Sequence, residues 1–311
     1  MLRYSIIAAS YNDARNIDAY MKSIIDFEVQ PEELVVVDGG SKDNTEEEIK
    51  KYTTETQFDI RTIFDGTRRN ISEGYNEAIK QCRSEWILIT GIGNTYKPEY
   101  ISVLINAIED SKADMAYGPF IGNDVNEFSK IYNKAFLKGN KPFDYGQASN
   151  RGVLIHKSVF ERCGYFYENF IYAGEDTEFY NRVKEYGIYS VYTEKAIVNW
   201  DPPINLQQAM KKTRVNAIAD MQLMNLKKLF MKDFLVYVYL FVVLFCCFVF
   251  PLVSVLGVTG LCIYTVYKIR CTNIFSIVLW ISNLYYTGYQ HFKQRKYAEE
   301  KYRVKIDKRA E

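Results

Sequence analysis

The sequence predicts an α/β protein: a mostly parallel sheet with helices on both faces, followed by carboxyl-terminal membrane helices. Three observations predict it. Short apolar runs alternate with helix-periodic stretches through the first 120 residues. Polar, glycine-containing turns follow the apolar runs, where ligands bind on such sheets. A long uncharged segment, Leu235–Tyr267, lies in the last third.

The elements follow in order. Arg3–Ala9 and Leu34–Val37 read as strands, and between them Ile17–Phe27 repeats apolar residues at helical spacing. Val37 leads into Asp38-Gly39-Gly40-Ser41 and a capped helix with Glu46, Glu47 and Glu48 in its first turn. Phe58–Phe64 reads as a third strand, Ile71–Gln81 as a helix and Glu85–Thr90 as a fourth strand. A helix over Pro98–Ser111 leads to a strand near Met115–Tyr117. The formal net charge of +1 excludes a typical nucleic-acid binder. The six cysteines show no CxxC spacing, and His156 and His291 stand too far apart in sequence to suggest a histidine-based metal site. No G-x-G-x-x-G follows the first strand, which excludes the usual dinucleotide fingerprint. Ser5–Ala9 is too short for the apolar core of a signal peptide.

The informative residues stand just after the strands. Strand one ends in Ser10-Tyr11-Asn12-Asp13, strand two in Asp38-Gly39-Gly40-Ser41 and strand four in Gly91-Ile92-Gly93-Asn94. A ring that stacks, a carboxylate that accepts from a base or ribose, and bare amides that suit phosphate together point to a nucleoside diphosphate. Further on, Gly174-Glu175-Asp176-Thr177 places two acids at the start of a helix. Either Asp176 or Thr177 caps that helix, or Asp176 is a general base; the motif alone leaves both open.

In sequence order, Ser10-Tyr11-Asn12, Val35-Val36-Val37-Asp38-Gly39-Gly40-Ser41-x-Asp43-x-Thr45 and Gly174-Glu175-Asp176-Thr177 resemble the family 2 glycosyltransferases of GT-A fold. The chain is more similar still to the membrane-anchored members that build bacterial exopolysaccharide and capsule. Ser149-Asn150-Arg151-Gly152, Cys163-Gly164-Tyr165-Phe166 and Trp200-Asp201-Pro202-Pro203 carry that closer resemblance. It implies inverting transfer of a sugar from a nucleoside-diphosphate sugar, a UDP-sugar, to a lipid-linked or polysaccharide acceptor. It also implies donor contacts from Ala9, Tyr11, Asn12, Asp38, Gly39 and Asn94, with Arg68, Arg69 and Arg151 as candidates for the diphosphate. Asp176 would take the acceptor proton, and Glu175 would position the acceptor or tune Asp176.

One departure concerns the divalent metal, Mg²⁺ or Mn²⁺, that the family holds on an aspartate-rich motif after strand four. Here Thr90-Gly91-Ile92-Gly93-Asn94 carries no carboxylate, and an amide oxygen is a weak ligand for a hard cation. Three arrangements stay open. Asp176 or Asp201 holds the metal with the diphosphate, arginines neutralise the diphosphate without metal, or the protein binds nucleotide sugar as a scaffold without turnover.

The sequence therefore divides into a glycosyltransferase domain over 1–228, a membrane segment over 229–292 and a charged tail over 293–311. The donor half of the first covers about 1–120 and the acceptor half about 121–228. As one straight helix Leu235–Tyr267 would be roughly 50 Å long, against a hydrocarbon core of about 30 Å. Pro251 near its middle favours a hairpin, with Ile274–Phe292 as a third apolar segment. Lys227, Lys228, Lys232, Lys268 and Arg270 flank the hairpin and place the domain on the cytoplasmic side of the cell membrane. Leu206–Phe230 reads as a basic amphipathic helix on that leaflet, its apolar face formed by Leu206, Met210, Ala217, Met221 and Met224. The resemblance implies that this region closes over the donor, with Arg214 as the local candidate; read from the helix alone, Arg214 is a lipid-headgroup contact.

Overall fold

A computed structural model describes residues 2–137, 148–170 and 173–223, with isolated positions at 238, 241, 257, 259, 260 and 263. The chain divides into two compact units, Met1–Ile121 with Pro142–Asp201, and Gly122–Lys141 with Pro202–Glu311.

The elements run β1 (Tyr4–Ser10), α1 (Ala14–Ile25), β2 (Glu33–Asp38), α2 (Thr45–Lys50), β3 (Asp59–Ile63), α3 (Ile71–Gln81), β4 (Trp86–Gly91) and β5 (Asn94–Tyr96). Then come α4 (Tyr100–Ser111), β6 (Met115–Tyr117), β7 (Phe120–Gly122), α5 (Glu127–Phe136), β8 (Gly152–His156), α6 (Ser158–Cys163), α7 (Glu175–Glu185), β9 (Ser190–Tyr192), β10 (Val198–Trp200) and α8 (Leu206–Leu223). The main sheet has the order β3-β2-β1-β4-β8-β6-β9, and a small one has the order β5-β10-β7. β1 to β4 are mutually parallel, as the alternating pattern predicts. β8 runs antiparallel to both β4 and β6. Local periodicity carries no information about that reversal.

The apolar runs work because both faces of the sheet are covered. Successive side chains alternate between faces. Ile7, Val35, Val37, Ile87 and Ile89 join Tyr75, Ile79, Phe160, Phe166 and Phe179 in one core. Ile6, Leu34, Val36 and Leu88, on the opposite face, are also fully buried. At the amino-terminal rim the buried Glu33 is tied down by Ser5, Arg61 and the Arg83 N–H. That end is structural, and the opposite rim is where chemistry collects.

The expected helix Ile71–Gln81 has the bounds that the sequence implies. Asn70 and Glu73 close a reciprocal capping box at its start. The expected cap of α2 is built differently. Asn44 makes no side-chain cap bond, and Asp43 instead accepts from the Thr45 N–H at 3.2 Å.

In the second unit, Asn126 and Ser129 form a capping box on α5, and the Asn126 amide donates to the Ile204 carbonyl at 2.9 Å. On α8, Leu206 and Met210 of the expected apolar face are exposed, whereas Ala209 and Thr213 are buried. Among the described residues no helix is long and apolar enough to cross a membrane. Apart from those isolated positions, the expected hairpin over Leu235–Tyr267, the third apolar segment and the charged tail lie outside the described residues.

Candidate active site

Sheet register brings the candidate residues to one rim. Ser10 lies opposite Asp38, Ala9 opposite Val37 and Gly91, and Thr90 opposite Gly152. From β2 through β1 and β4 to β8 the rim therefore presents Asp38-Gly39, Tyr11-Asn12, Gly91–Asn94 and Asn150-Arg151 in spatial order. At a strand spacing of about 4.8 Å those three steps span roughly 14 Å, room for a base, a ribose and two phosphates in line.

The first two loops are locked together. Asn12 holds a left-handed φ of 55°, its N–H donates to Ser41 Oγ at 2.7 Å, and its Oδ1 accepts from the Lys42 N–H at 2.8 Å. Asp38, only 4% exposed, accepts the Gly40 and Ser41 N–H groups at 2.8 and 2.7 Å and the Ser41 hydroxyl at 2.5 Å. Its carboxylate shapes the turn before it can touch any ligand, although Oδ1, which accepts a single bond, keeps a further lone pair. Gly39 is required there, because a Cβ would lie 2.8 Å from the Arg69 carbonyl oxygen. Ala9, a donor contact by resemblance, is partly buried and packs against the core.

Arg68 and Arg69 part company. Arg69 makes a two-pronged bond to Asp65 at 2.7 and 2.5 Å and reaches the Asp38 carbonyl at 3.3 Å. Its hydrogen bonds hold the Asp65 carboxyl well below the usual carboxylate range. Arg68 instead lies over the Tyr11 ring, Cζ 3.9 Å from the centroid, and donates to the Gly39 carbonyl at 3.0 Å. Tyr11 is 45% exposed. Arg68 is therefore the arginine at the aromatic ring, and Arg69 is the buttress behind it.

At the end of β4 the Asn94 amide donates to the Gly91 carbonyl at 2.8 Å, and its Oδ1 is buried without a partner. Beside it, Arg151 is held against two aromatic rings, with Cζ 4.5 Å from the centroid of Phe120 and 5.3 Å from that of Trp200. One of its terminal nitrogens donates to Ser149 Oγ at 3.0 Å, while its buried Nε has no partner.

The acidic pair begins α7. Gly174 occupies the N-cap position at φ 97°, so neither Asp176 nor Thr177 is the cap residue. Asp176 is half-buried and accepts the Thr177 N–H at 2.7 Å and its hydroxyl at 3.3 Å. Glu175 is 4% exposed, with the Asn150 amide donating to it at 3.4 Å. Tyr180 donates to the other end of Asn150 at 2.9 Å. Burial, and then the charge of Asp176, push the Glu175 carboxyl up to about 8, against the pull of the Asn150 amide and Arg151. Burial also lifts the phenols of Tyr75 and Tyr180, and both carboxylates of the pair add to each shift. Tyr75 donates to the Thr90 carbonyl at 2.9 Å, so a phenol within electrostatic reach of the acidic pair is fixed at the end of β4.

Asn150, Tyr180 and Tyr75 are the site residues that sequence reasoning missed. Asn150 could have been suspected from standing between Ser149 and Arg151. Tyr75 carries no local signal, because only the fold brings it to the acids, whereas Tyr180 stands one helical turn after Asp176 on α7, a spacing visible in the sequence.

Among the described residues no three His, Cys, Asp or Glu side chains gather as a metal site. At the end of β4 the available donor is one neutral amide oxygen, whereas Mg²⁺ and Mn²⁺ favour several hard, charged oxygens. These residues do not fit a resident divalent cation.

Comparison with known proteins gives the family and the fold. A family profile described as Glycosyl transferase family 2 matches residues 5–197. An uncharacterized protein of Methanocaldococcus jannaschii, MJ0544, is 27% identical over 53% of this chain and 78% of its own length. The poly-beta-1,6-N-acetyl-D-glucosamine synthase of Staphylococcus epidermidis is 25% identical, over 43% of this chain and only 30% of the synthase. Among solved structures, the Pyrobaculum calidifontis mannosyltransferase PcManGT, in complex with GDP-Man and Mn²⁺, superposes with a TM-score of 0.68. It shares 13% identity, covering 93% of this chain and 87% of the other. S. aureus TarS 1-349 in complex with UDP-GlcNAc gives a TM-score of 0.51 at 14% identity, covering 97% and 92% of the two chains. These superpositions establish the GT-A-like fold.

Proposed function

Since the chain belongs to glycosyl transferase family 2, we propose that it transfers a sugar from a nucleoside-diphosphate sugar, a UDP-sugar, to a hydroxyl of a lipid-linked or polysaccharide acceptor. The observation that carries this reading is the half-buried Asp176 at the start of α7, on the rim that presents Tyr11, Arg68 and Arg151. The base stacks on Tyr11, with Arg68 as its neighbour. The diphosphate lies towards Arg151. The acceptor oxygen bonds to the anomeric carbon as the bond from that carbon to the diphosphate oxygen breaks, with inversion. The acceptor proton passes to Asp176 and the nucleoside diphosphate leaves. A sugar hydroxyl is a poor nucleophile at neutral pH, so a placed carboxylate base lowers the barrier. Glu175, which burial disposes to keep its proton near neutral pH, positions the acceptor.

The membrane part of the reading rests on the uncharged run Leu235–Tyr267 and its flanking lysines and arginines. They anchor the domain at the cytoplasmic face, and the exposed Leu206 and Met210 offer apolar contact to the same surface. Such a tether favours an acceptor that is itself in the lipid. Structures of the same fold hold nucleotide sugars, UDP-GlcNAc in TarS and GDP-Man in PcManGT, which supports a nucleoside-diphosphate-sugar donor.

The test is transfer from radiolabelled UDP-N-acetylglucosamine and other UDP-sugars into a bacterial lipid extract, with the product anomer assigned by NMR. Organic-phase label of inverted configuration is expected. Tyr11→Ala is expected to raise the donor KM about tenfold at little changed kcat, the size of one lost base–aromatic stack. A product of retained configuration contradicts the mechanism. Nucleotide binding without turnover on any donor and acceptor returns the chain to a nucleotide-sugar-binding scaffold.

A further inference from the structure

Resting on the nucleotide-sugar reading above, we infer that Asn94 fills the place of a metal-binding carboxylate. The chain then binds its donor without a protein-held divalent cation, and the Arg151 guanidinium meets the diphosphate charge. Four observations carry this. The first is spatial: a Cβ on Gly91 would lie 2.7 Å from Asn94 Nδ2 and 3.8 Å from the Asn150 carbonyl oxygen. The space into which an acidic side chain at 91 would grow is already occupied.

The second is the orientation of the amide. The Gly91 carbonyl needs a donor, so Nδ2 faces it at 2.8 Å and Oδ1 is the atom left over, buried and unpartnered. An unsatisfied buried acceptor is costly, which points to a ligand donor rather than to an empty corner. One neutral oxygen suits a sugar hydroxyl or a water far better than Mg²⁺ or Mn²⁺.

The third is the state of Arg151. Its guanidinium faces the Phe120 and Trp200 rings, and its buried Nε donates to nothing. A half-buried guanidinium held against two rings, with one terminal nitrogen on Ser149 and donors to spare, is suited to an anion, its plane already set. The fourth is that the two orphans are neighbours in the fold. Trp200, under the guanidinium, is the register partner of Asn94 in the β5–β10 ladder. Gly152, next to Arg151, is the register partner of Thr90 on β4. A spare acceptor and a spare cationic donor therefore lie at the same end of β4, which matches a group carrying both hydroxyls and phosphate oxygens.

The experiment is calorimetric titration of the purified full chain with UDP and with GDP, in EDTA and again in Mn²⁺. The nucleotide that binds is expected to do so with affinities within about threefold in the two media, a difference below 1 kcal/mol. Arg151→Ala is expected to weaken binding in EDTA by at least about tenfold, with Arg151→Lys recovering only part because an ammonium lacks the planar fork. Asn94→Asp supplies the missing carboxylate and is expected to make binding Mn²⁺-dependent, with a matching change in the Mn²⁺ paramagnetic resonance spectrum. Circular dichroism confirms that each variant is folded. Mn²⁺ tightening wild-type binding more than about tenfold overturns the inference, as does Arg151→Ala binding like wild type. Binding of neither nucleotide by folded wild type, in either medium, overturns the nucleotide-sugar reading along with it.

Discussion

Replacing Asp176 by asparagine is expected to lower kcat by about a thousandfold while leaving donor affinity within about threefold, the signature of a lost general base. The substitution keeps shape and volume. Asn Oδ1 can still accept the Thr177 N–H that Asp176 Oδ1 accepts at 2.7 Å. The helix start is unaffected, because the N-cap residue is Gly174. What disappears is the atom that can take the acceptor proton. Initial rates at saturating donor, beside a nucleotide titration of the same preparation, separate the two effects. A variant turning over within tenfold of wild type would move the base elsewhere.

Replacing Glu175 by glutamine is expected to flatten the dependence of stability on pH. The folded-state carboxyl is pushed up to about 8 from an ordinary 4.5, by burial first and by the Asp176 charge second. Between those values the folded protein holds a proton that the unfolded chain has released. Stability is therefore greatest below the lower value, falls as pH rises through the window and levels off above the upper one. The total penalty is on the order of 3 kcal/mol, since each unit of difference corresponds to about 1.4 kcal/mol and neighbours relax. Glutamine carries no such proton. Urea unfolding at pH 5, 7 and 9 is expected to show the two proteins nearly equal at the lowest pH and the variant ahead by about 3 kcal/mol at the highest. Parallel curves for the two proteins would mean that Glu175 ionises freely in the folded state.

Much of the donor side of the fold is legible in the sequence, because local signals and tertiary structure agree there. The runs Arg3–Ala9 and Leu34–Val37 both become interior strands of the sheet, buried along nearly all of their length. The helix at Ile71–Gln81 announces itself through its amphipathic spacing. Among the three-residue strands, β6 is read from its place after a clear helix, whereas β5, β7, β9 and β10 go unread, being too short to show alternation by themselves. The antiparallel β8 escapes notice for another reason. Strand direction depends on which partners the chain returns to, and no local pattern encodes that.

At the site, the acidic pair and the tyrosine after β1 are readable because their chemistry is unusual at a strand end or helix start. The choice between Arg68 and Arg69 is partly readable too. Asp65 stands four residues before Arg69 and captures it, an ion-pair spacing visible in the sequence. The role of Asp38 is not readable, because a carboxylate after a strand looks the same whether it holds a ribose or its own turn. The bracket that Asn150 and Tyr180 place on Glu175 joins Asn150 to residues 25 and 30 positions on, and only the fold, which brings the turn before β8 to α7, reveals it.

The most direct test of the central claim, that this rim is a sugar-transfer site served by Asp176, is a crystal structure with a non-hydrolysable UDP-sugar analogue. The base is expected against Tyr11 and the diphosphate between Gly91 and Arg151. The anomeric carbon should then face Asp176 across a gap of about 5–6 Å, room for one acceptor hydroxyl in hydrogen-bond reach. A nucleotide bound away from Tyr11, or an anomeric carbon more than about 10 Å from Asp176, would contradict it.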